Sequence, residues 1–341
     1  MSLLVITTSR SESGQLAPLA RAAGCPLVVC GLHHDSGTPV PEEVAGIEVI
    51  RLPRPADSLG LIHQVALRDL LIERKPQAVV ILGDRFELLE MAVPLVISGV
   101  VIAHLSGGER TAGAIDDVVR NAISQIATLH YPAHELAAER LVQIGIPPAH
   151  ICVAGEPGLD AIRIEARPPL DRSVGPDDVL VALHPVTRDQ QETEACIAAI
   201  FGAAARSSGT WHVSTPNGDP GSERISTALR GGNFEPFPNR GAAWFRTLTA
   251  ACGVQIGNSS AGLVEAPSLG CATVDLGTRQ HGRPRGASVV TLAQPTVDGL
   301  LAAVADARQR RVLATPAMNP YGDGYTCARI LAHLHGYLAR P

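Results

Sequence analysis

Acidic side chains gather in the segment HLSGGERTAGAIDDVVRNAIS, which runs from His104 to Ser124. Glu109 follows a Gly-Gly pair directly after an apolar run, whereas Asp116 and Asp117 precede an apolar pattern with helical spacing. Carboxylates in the first turn of a helix interact favourably with the helix dipole, so capping alone accounts for both aspartates. Glu109 is harder to explain in this way and is a candidate for proton transfer. The segment is therefore either a capped helix entrance or one wall of an active site.

Three further candidate groups follow other apolar runs. Asp84, in GDRFE, is either an acid–base group or simply an N-cap. His184, in LHPVTRD, is either a general acid or base, a phosphate partner, or a structural histidine. Arg10, in ITTSRSESG, suits a diphosphate because its planar fork matches phosphate oxygens, although a surface arginine is the alternative. With Glu109 and Asp117, these residues would give a cleft three carboxylates and an imidazole beside a phosphate pocket.

The segment GNSSAGLVEAPSLG, residues 257–270, has the composition of a phosphate site. Small residues such as Gly262 let the backbone approach a ligand, and Ser259 and Ser260 open a helix whose first N–H groups can hold a phosphate. Glu265 could accept a hydrogen bond from a ribose hydroxyl. The alternative is a serine N-cap followed by a buried or salt-bridged glutamate. The P-loop pattern G-x-x-x-x-G-K-[ST] does not occur in the chain.

Short apolar runs alternate with helical patterns along the chain, which predicts a parallel sheet covered by helices. The predicted strands are 3–9, 26–32, 78–82, 100–105, 129–131 and 151–153, followed by 179–184, 210–216, 253–259 and 272–277. The predicted helices are 15–23, 59–73, 86–98, 192–206, 221–229, 242–251, 262–268 and 296–308. Between the two series, the charged and proline-containing segment 162–178 is typical of a linker. Two Rossmann-like halves are therefore expected, with ligands bound outside the carboxyl ends of the strands, in one cleft between the domains.

The composition excludes several classes of protein. The 341 residues are 45% hydrophobic and 18% charged, and the net charge of −5 argues against nucleic-acid binding. The longest apolar run is shorter than the roughly 20 residues that cross a bilayer, and the start of the chain lacks a signal-peptide pattern. The seven cysteines include no C-x-x-C pair, which favours buried thiols in a reducing compartment and no metal site. We therefore expect a cytoplasmic enzyme without a membrane partner.

Taken together, the motifs resemble those of the UDP-N-acetylglucosamine 2-epimerases, in particular the hydrolysing branch of the bacterial sialic-acid type. The resemblance covers nearly the whole chain, and the IDD, HPVT and RQ-x-GR forms favour the hydrolysing branch. The segments that carry it are TSRSESGQLAPL, PQAVVILGDRFE, IAHLSGGERTAGAIDDVVRNAIS, LHPVT, TPNGDPGS, GNSSAGLVEAPSLG, GTRQHGRPR and NPYGDG.

The resemblance implies an α/β fold with two Rossmann-like domains in a GT-B-like arrangement and the active site in the interdomain cleft. The domains would be 1–165 and 166–325, with 326–341 forming a helix that crosses back to the first. In this family a base removes the C2 proton of the sugar while UDP leaves C1, which gives a 2-acetamidoglycal. Water then adds at C1 with reprotonation at C2, which releases an N-acetylmannosamine-type sugar. This chemistry requires no cofactor, and the family usually forms homodimers.

The resemblance also assigns roles by position. Asp84, Glu109 and Asp117 become the acid–base candidates, without a decision on which is the base, and His184 is placed near the diphosphate. Groups that would bind the nucleotide sugar are Arg10, Asn217, Asp219, Ser259, Ser260, Gly262, Glu265, Gln280, Gly282 and Arg283.

Three positions depart from the family pattern. Ser106 stands where the family usually has His or Glu, Asn121 stands where it has His, and Ser13 replaces an aromatic residue. These departures leave open a modified sugar such as a 6-deoxy or diamino sugar, another nucleotide, altered chemistry, or a weakened homologue. A GT-B glycosyltransferase and a non-catalytic nucleotide-sugar-binding protein are the alternative functions.

Overall fold

The computed structural model describes residues 2–8, 10–30, 44–53, 64–111, 116–165, 167–186, 189–215, 221–230, 233–238 and 240–340, without the side chains of Arg10 and Ser11. The chain divides into two compact units. The first comprises Met1–Glu109, Ile115–Ile164 and Tyr321–Pro341, and the second comprises Arg110–Ala114 and Glu165–Pro320.

A six-stranded parallel sheet forms the centre of the first unit, in the order β3-β2-β1-β4-β5-β6. Its strands are β1 (Leu3–Thr7), β2 (Leu27–Val29), β3 (Val49–Arg51), β4 (Ala78–Leu82), β5 (Val101–Leu105) and β6 (Leu129–Tyr131). All five residues of β1 and of β4 are buried, because successive side chains point to opposite faces and both faces are covered. This explains why these strands are continuous apolar runs in the sequence.

Helices pack on both faces of this sheet. The helices are α1 (Arg10–Ala23), α2 (Gln64–Arg74), α3 (Glu87–Ser98), α4 (Asp116–Ile126), α5 (Glu135–Gln143), α6 (Gly158–Ile164) and α12 (Thr326–Leu338). Leu3 and Val5 pack in one cluster with α1 and α12, whereas Leu4 and Ile6 pack in another with α2, α3 and α4. The carboxylate of Asp160 accepts hydrogen bonds from the first two N–H groups of α12, at 2.8 and 3.0 Å. This cap fixes the final helix within the first unit.

The second unit repeats the plan with its own sheet, in the order β12-β11-β10-β7-β8-β9. Its strands are β7 (Val179–Ala182), β8 (Trp211–Ser214), β9 (Phe234–Phe237), β10 (Val254–Gly257), β11 (Ala272–Leu276) and β12 (Val289–Leu292). Its helices are α7 (Gln190–Ala204), α8 (Ser222–Ala228), α9 (Ala242–Ala251), α10 (Ala261–Val264) and α11 (Val297–Arg310). Buried residues from β7, β10 and β11 form one core with α7 and α11.

The prediction of two Rossmann-like halves is confirmed, with several local corrections. Residues 151–153 form only a single bridge at Ile151 and not a strand, and the linker pattern begins inside α6. Leu170 and Val174, within that pattern, pack against a buried cluster of the second unit. The sequence patterns missed β3, β9 and β12 at sheet edges, and also α5 and α6. Among the described helices, none is long and apolar enough to cross a membrane.

Candidate active site

The neighbouring strands β4 and β5 of the first unit end at the same level, because Leu82 pairs in register with Leu105. Asp84 lies two residues after β4, and Glu109 lies four residues after β5. The carboxyl edge of the sheet therefore brings two of the predicted carboxylates toward each other. Asp117, in the first turn of α4, is the third.

Arg120 of α4 connects all three of these residues. Its guanidinium donates to the Glu109 carbonyl oxygen at 2.7 Å and to the Asp117 carboxylate at 2.8 Å, and it forms an ion pair with the Asp84 carboxylate. A guanidinium offers five donors in a fixed fork, so one side chain can orient several acceptors. Arg120 is only 1% exposed, whereas the Asp84 and Asp117 side chains keep about a quarter of their surface open, 25% and 28%. The carboxylates are therefore held from the buried side and remain accessible from the other.

The carboxylate of Glu109 lies against His134, with Oε1 2.7 Å from Nε2. His134 is the N-cap of α5, and its Nδ1 accepts a hydrogen bond from the Ala137 N–H at 3.2 Å. Because Nδ1 is used as an acceptor, the ring proton of the neutral histidine is on Nε2, the nitrogen that lies beside Glu109. Sequence reasoning missed His134, because histidine is not among the usual N-cap residues and α5 itself was not predicted.

Gly108 is required by the packing of the loop that carries Glu109. Its φ is +78°, and a Cβ atom there would lie 2.1 Å from the Ala137 carbonyl oxygen. Arg140 of α5 also donates to the Gly108 carbonyl oxygen at 3.3 Å. Gly108 therefore lets the loop lie directly on α5, which places Glu109 beside His134.

His104, at the start of the same motif, has a structural role. Its Nε2 donates to the Gly83 carbonyl oxygen at 2.8 Å, and its Nδ1 accepts from the Ser124 hydroxyl at 3.1 Å. Burial lowers the pKa of His104 to about 4, so the ring is neutral at physiological pH. The histidine ties the ends of β4 and β5 to α4 and thereby fixes the positions of Asp84 and Glu109.

We expect the free energy of unfolding to decrease as the pH falls from 6.5 to 4, in part because of His104. In that window the unfolded chain binds a proton at this histidine and the folded chain does not, so acid favours unfolding. In His104→Gln, this dependence should weaken by up to about 1.4 kcal/mol per pH unit, the value for one proton. Urea titrations at several pH values measure both slopes, and equal slopes would contradict the assignment. Burial also lowers the pKa of His130 to about 3, with a smaller lowering effect of the nearby His104 ring, so His130 adds to the slope in both proteins.

A second buried acidic group lies at the end of β1. The Glu12 carboxylate accepts from the Thr8 N–H and from the Thr8 hydroxyl, both at 2.9 Å, and burial raises its pKa. Ser13 is fully buried here, in the place of the family's aromatic residue. The side chain of Arg10, predicted to bind a diphosphate at this strand end, lies outside the described residues.

In the second unit, Asn258 organises the ends of β7 and β10. Its side-chain oxygen accepts from the His184 N–H and its side-chain nitrogen donates to the His184 carbonyl oxygen, both at 2.8 Å. Gln280, which is buried, donates to the Asn258 carbonyl oxygen at 2.7 Å. Two predicted residues, His184 and Gln280, are therefore joined through an asparagine that sequence reasoning did not single out.

The predicted phosphate segment follows β10 directly. Ser259 Oγ accepts from the Ala261 N–H at 3.4 Å, whereas Ser260 makes no capping hydrogen bond with its side chain. A Cβ atom on Gly262 would lie 2.8 Å from a methyl group of Thr273, so this glycine is needed for helix–strand packing. Both serines are partly exposed and remain available to a ligand.

Glu265 forms a salt bridge, which the sequence analysis gave as the alternative to binding a ribose hydroxyl. Arg246, which is buried, donates to Glu265 at 3.3 Å and to Glu165 at 2.9 Å. Arg283 donates to the Arg110 carbonyl oxygen at 2.9 Å and to the Thr111 hydroxyl at 3.2 Å. Within the second unit, Arg283 therefore holds the segment that follows Glu109 in the chain.

Some predictions cannot be placed. Asn217 and Asp219 lie outside the described residues. In the part of the chain that the structure describes, no group of three or more His, Cys, Asp or Glu side chains could hold a metal ion. Of the departures from the family pattern, Asn121 is exposed on α4, and Ser106 donates to the Glu156 carboxylate at 3.0 Å.

Comparison with known proteins finds similar sequences and a similar fold. Residues 53–335 match the model of a family described as UDP-N-acetylglucosamine 2-epimerase. A UDP-N-acetylglucosamine 2-epimerase of Neisseria meningitidis is 34% identical over 64% of this chain, and the match spans only 60% of that protein's length. A UDP-N,N'-diacetylbacillosamine 2-epimerase (hydrolyzing) of Legionella pneumophila is 30% identical over 74% of this chain and 69% of that protein. The crystal structure of a putative UDP-N-acetylglucosamine 2-epimerase from Listeria monocytogenes has a TM-score of 0.84 at 18% identity, covering 99% of this chain and 97% of that one.

Proposed function

The chain belongs to the UDP-N-acetylglucosamine 2-epimerase family, and from this premise we propose that it is a hydrolysing 2-epimerase of a nucleotide-activated N-acetyl-hexosamine. The substrate is UDP-N-acetylglucosamine or a modified form of it. The products are UDP and a free sugar whose configuration at C2 is inverted.

The reaction has two steps that need acid–base groups. In the first, a carboxylate takes the C2 proton, the C2–H electron pair forms the C1=C2 double bond, and the C1–O bond breaks to release UDP. In the second, the oxygen of water bonds to C1 and gives up a proton to a carboxylate, while the C1=C2 electron pair takes a proton from a protonated group on the opposite face of C2. Proton removal and proton delivery on opposite faces require two differently placed groups, which a set of three carboxylates can provide.

The observation that carries this proposal is the clamp formed by Arg120. One buried guanidinium orients Asp84, Asp117 and the backbone of Glu109, and these are the three residues that need defined positions around one carbon atom. Surface carboxylates that only cap helices would not need a shared buried cation. In the second unit, His184, Ser259 and Ser260 follow strands of one sheet and would bind the diphosphate of the nucleotide.

The hydrolysing outcome is supported by the IDD, HPVT and RQ-x-GR forms and by the name of the Legionella relative. The test is incubation with UDP-N-acetylglucosamine in heavy water, followed by phosphorus and proton NMR. We expect free UDP and a free sugar that carries deuterium at C2. A product that keeps its nucleotide would show the non-hydrolysing reaction, and transfer to an acceptor without exchange at C2 would show a glycosyltransferase.

The sugar itself is best decided by a substrate panel. Ser106 and Ser13 differ from the pattern of the enzymes that the chain resembles, and the Legionella relative is named for a diacetamido sugar. The panel therefore includes UDP-N-acetylglucosamine, UDP-N,N'-diacetylbacillosamine and their GDP counterparts. We expect the highest kcat/KM with a UDP sugar that carries a 2-acetamido group, since elimination takes place at C1 and C2.

We also propose a homodimer that forms through α2, α3 and α4 of the first unit. Large aliphatic side chains on these helices are between 43% and 80% exposed, which is typical of a contact surface and unusual for a free one. They are Val65, Ile72, Leu89, Val93, Val96, Ile97 and Val118.

Ile97→Asp is expected to convert this dimer to a monomer in size-exclusion chromatography with light scattering. Ile97 is 80% exposed in the chain, so an aspartate leaves the monomer intact but places a charge in an apolar interface. Val312→Asp is the matched control, because Val312 is 81% exposed and lies in the second unit. A wild-type protein that is monomeric at micromolar concentration would overturn this part of the proposal.

A cytoplasmic location is proposed for a separate reason. All seven cysteines are free thiols, and six of them are buried. Free thiols without disulfide partners suit a reducing compartment. Secretion of the active protein with all thiols intact would argue against this location.

A further inference from the structure

Ser106, at the carboxyl end of β5, has an unusual backbone and an acidic partner. Its φ is +57°, in the left-handed region that costs a non-glycine residue about 1 kcal/mol or more. Its hydroxyl donates to Glu156 Oε1 at 3.0 Å. We infer that Glu156 is a fourth carboxylate of the acid–base site, oriented by Ser106. This inference rests on the proposed function.

The backbone of Glu156 is held firmly in place. Its N–H donates to the Tyr321 carbonyl oxygen at 2.9 Å, and its own carbonyl oxygen accepts from the Thr326 hydroxyl at 3.2 Å. Gly155, just before it, has a φ of +97°, and a Cβ atom there would lie 2.6 Å from Thr326 Oγ1. The turn is therefore packed against the start of α12, and it fixes where the Glu156 side chain begins.

Glu156 is linked by contacts to the Glu109 carboxylate. The His134 ring, which faces Glu109, also packs edge-on against the Tyr321 ring, with centroids 5.4 Å apart. Tyr321 in turn accepts the backbone hydrogen bond of Glu156. Ser106 and Glu109 lie three residues apart in the same loop. Both carboxylates therefore belong to one contact network within the first unit.

The chemistry of the pair explains the loss of an ionisable side chain at position 106. A serine hydroxyl is not itself an acid–base group, but here it donates a hydrogen bond to a carboxylate, which can take up and release a proton. The Glu156 carboxylate lies within hydrogen-bond distance of the Ser106 side chain, at the carboxyl end of β5. It is also partly exposed, so it can exchange protons with a ligand or solvent. In this protein the acid–base group is therefore in the turn before α6 and not in the β5 loop, and the Ser106 hydroxyl keeps it oriented.

Glu156→Gln tests this inference, because glutamine keeps the hydrogen bond from Ser106 and removes only the titrating group. We expect kcat to fall by about 10²-fold with KM changed less than about threefold, the pattern for a lost acid–base group. The pH profile of kcat should also lose one of its limbs.

The double variant Ser106→Glu/Glu156→Gln separates a chemical role from a structural one. It returns a carboxylate to the β5 loop, so kcat should recover at least about tenfold relative to Glu156→Gln. Urea unfolding of all variants monitors the fold. Recovery by the double variant supports the inference, since a merely structural Glu156 would not be replaced by a carboxylate at another position.

The outcomes distinguish the two levels of the proposal. If the wild-type protein incorporates deuterium at C2 and Glu156→Gln does so at the wild-type rate, this inference is overturned and the proposed function stands. If Glu156→Gln is impaired and the double variant gains nothing, the inference is also overturned. If the wild-type protein exchanges C2–H with no UDP sugar of the panel, the proposed function fails and this inference fails with it.

Discussion

Replacing Arg120 by methionine is expected to lower kcat/KM by about 10³-fold or more and to destabilise the fold by about 3 kcal/mol. The guanidinium holds Asp84, Asp117 and the Glu109 carbonyl group at once, so its loss releases three site residues together. It also leaves two carboxylates beside a buried apolar side chain, which is the costly case of a broken ion pair. Steady-state kinetics and urea unfolding measure the two effects.

Two further variants give the Arg120 prediction its controls. Arg120→Lys keeps the charge but replaces a planar guanidinium by an ammonium group. We therefore expect its kcat/KM to lie between the values of the wild type and Arg120→Met. Arg68→Met removes an exposed arginine that pairs with Asp69 on α2, and activity should change less than twofold. If Arg120→Met retained more than a tenth of the wild-type kcat/KM, the clamp would not organise the reaction.

The sequence predicted the central strands well because burial on both faces leaves a clear pattern. β1, β4 and β7 are apolar runs at sheet positions covered on both sides. Edge strands lack this pattern. β3 has only three residues, all partly exposed, and β9 contains Pro236, which a strand tolerates only where its missing N–H has no partner. Those two strands can be assigned only from their pairing with the neighbouring strand in the structure, and not from their own sequence.

The same contrast holds for the site. The positions of Asp84 and Glu109 could be predicted because polar residues directly after apolar strands collect at one edge of a parallel sheet, and that of Asp117 because carboxylates favour the first turn of a helix. Arg120 could not, since an arginine three residues after an aspartate usually forms an exposed helix pair. Its burial depends on how α4 packs against the sheet. The role that we infer for Glu156 could not be predicted from the neighbouring sequence either, because it depends on a hydrogen bond to a residue 50 positions away.

Glu109→Gln is expected to lower kcat by between 10²- and 10⁴-fold, the range for loss of a proton-transfer group. Glutamine has nearly the same shape and can keep the close contact with His134 Nε2, so the loop should keep its conformation. The variant therefore removes the charge and leaves the packing of Gly108 on α5 unchanged. Proton NMR in heavy water then shows which step depends on Glu109. Loss of UDP release places it in the elimination, whereas UDP release with accumulation of the 2-acetamidoglycal places it in the second step.

His134→Asn separates the charge of Glu109 from its orientation. Asparagine is a good N-cap, so α5 keeps its first hydrogen bond while the contact with Glu109 is lost. Because the carboxylate remains present but is less well oriented, we expect kcat to fall only about tenfold, with KM almost unchanged. A loss as large as that of Glu109→Gln would instead assign the proton transfer to the pair as one unit. Wild-type kcat in Glu109→Gln would exclude Glu109 from the reaction and leave the acid–base work to Asp84, Asp117 and Glu156.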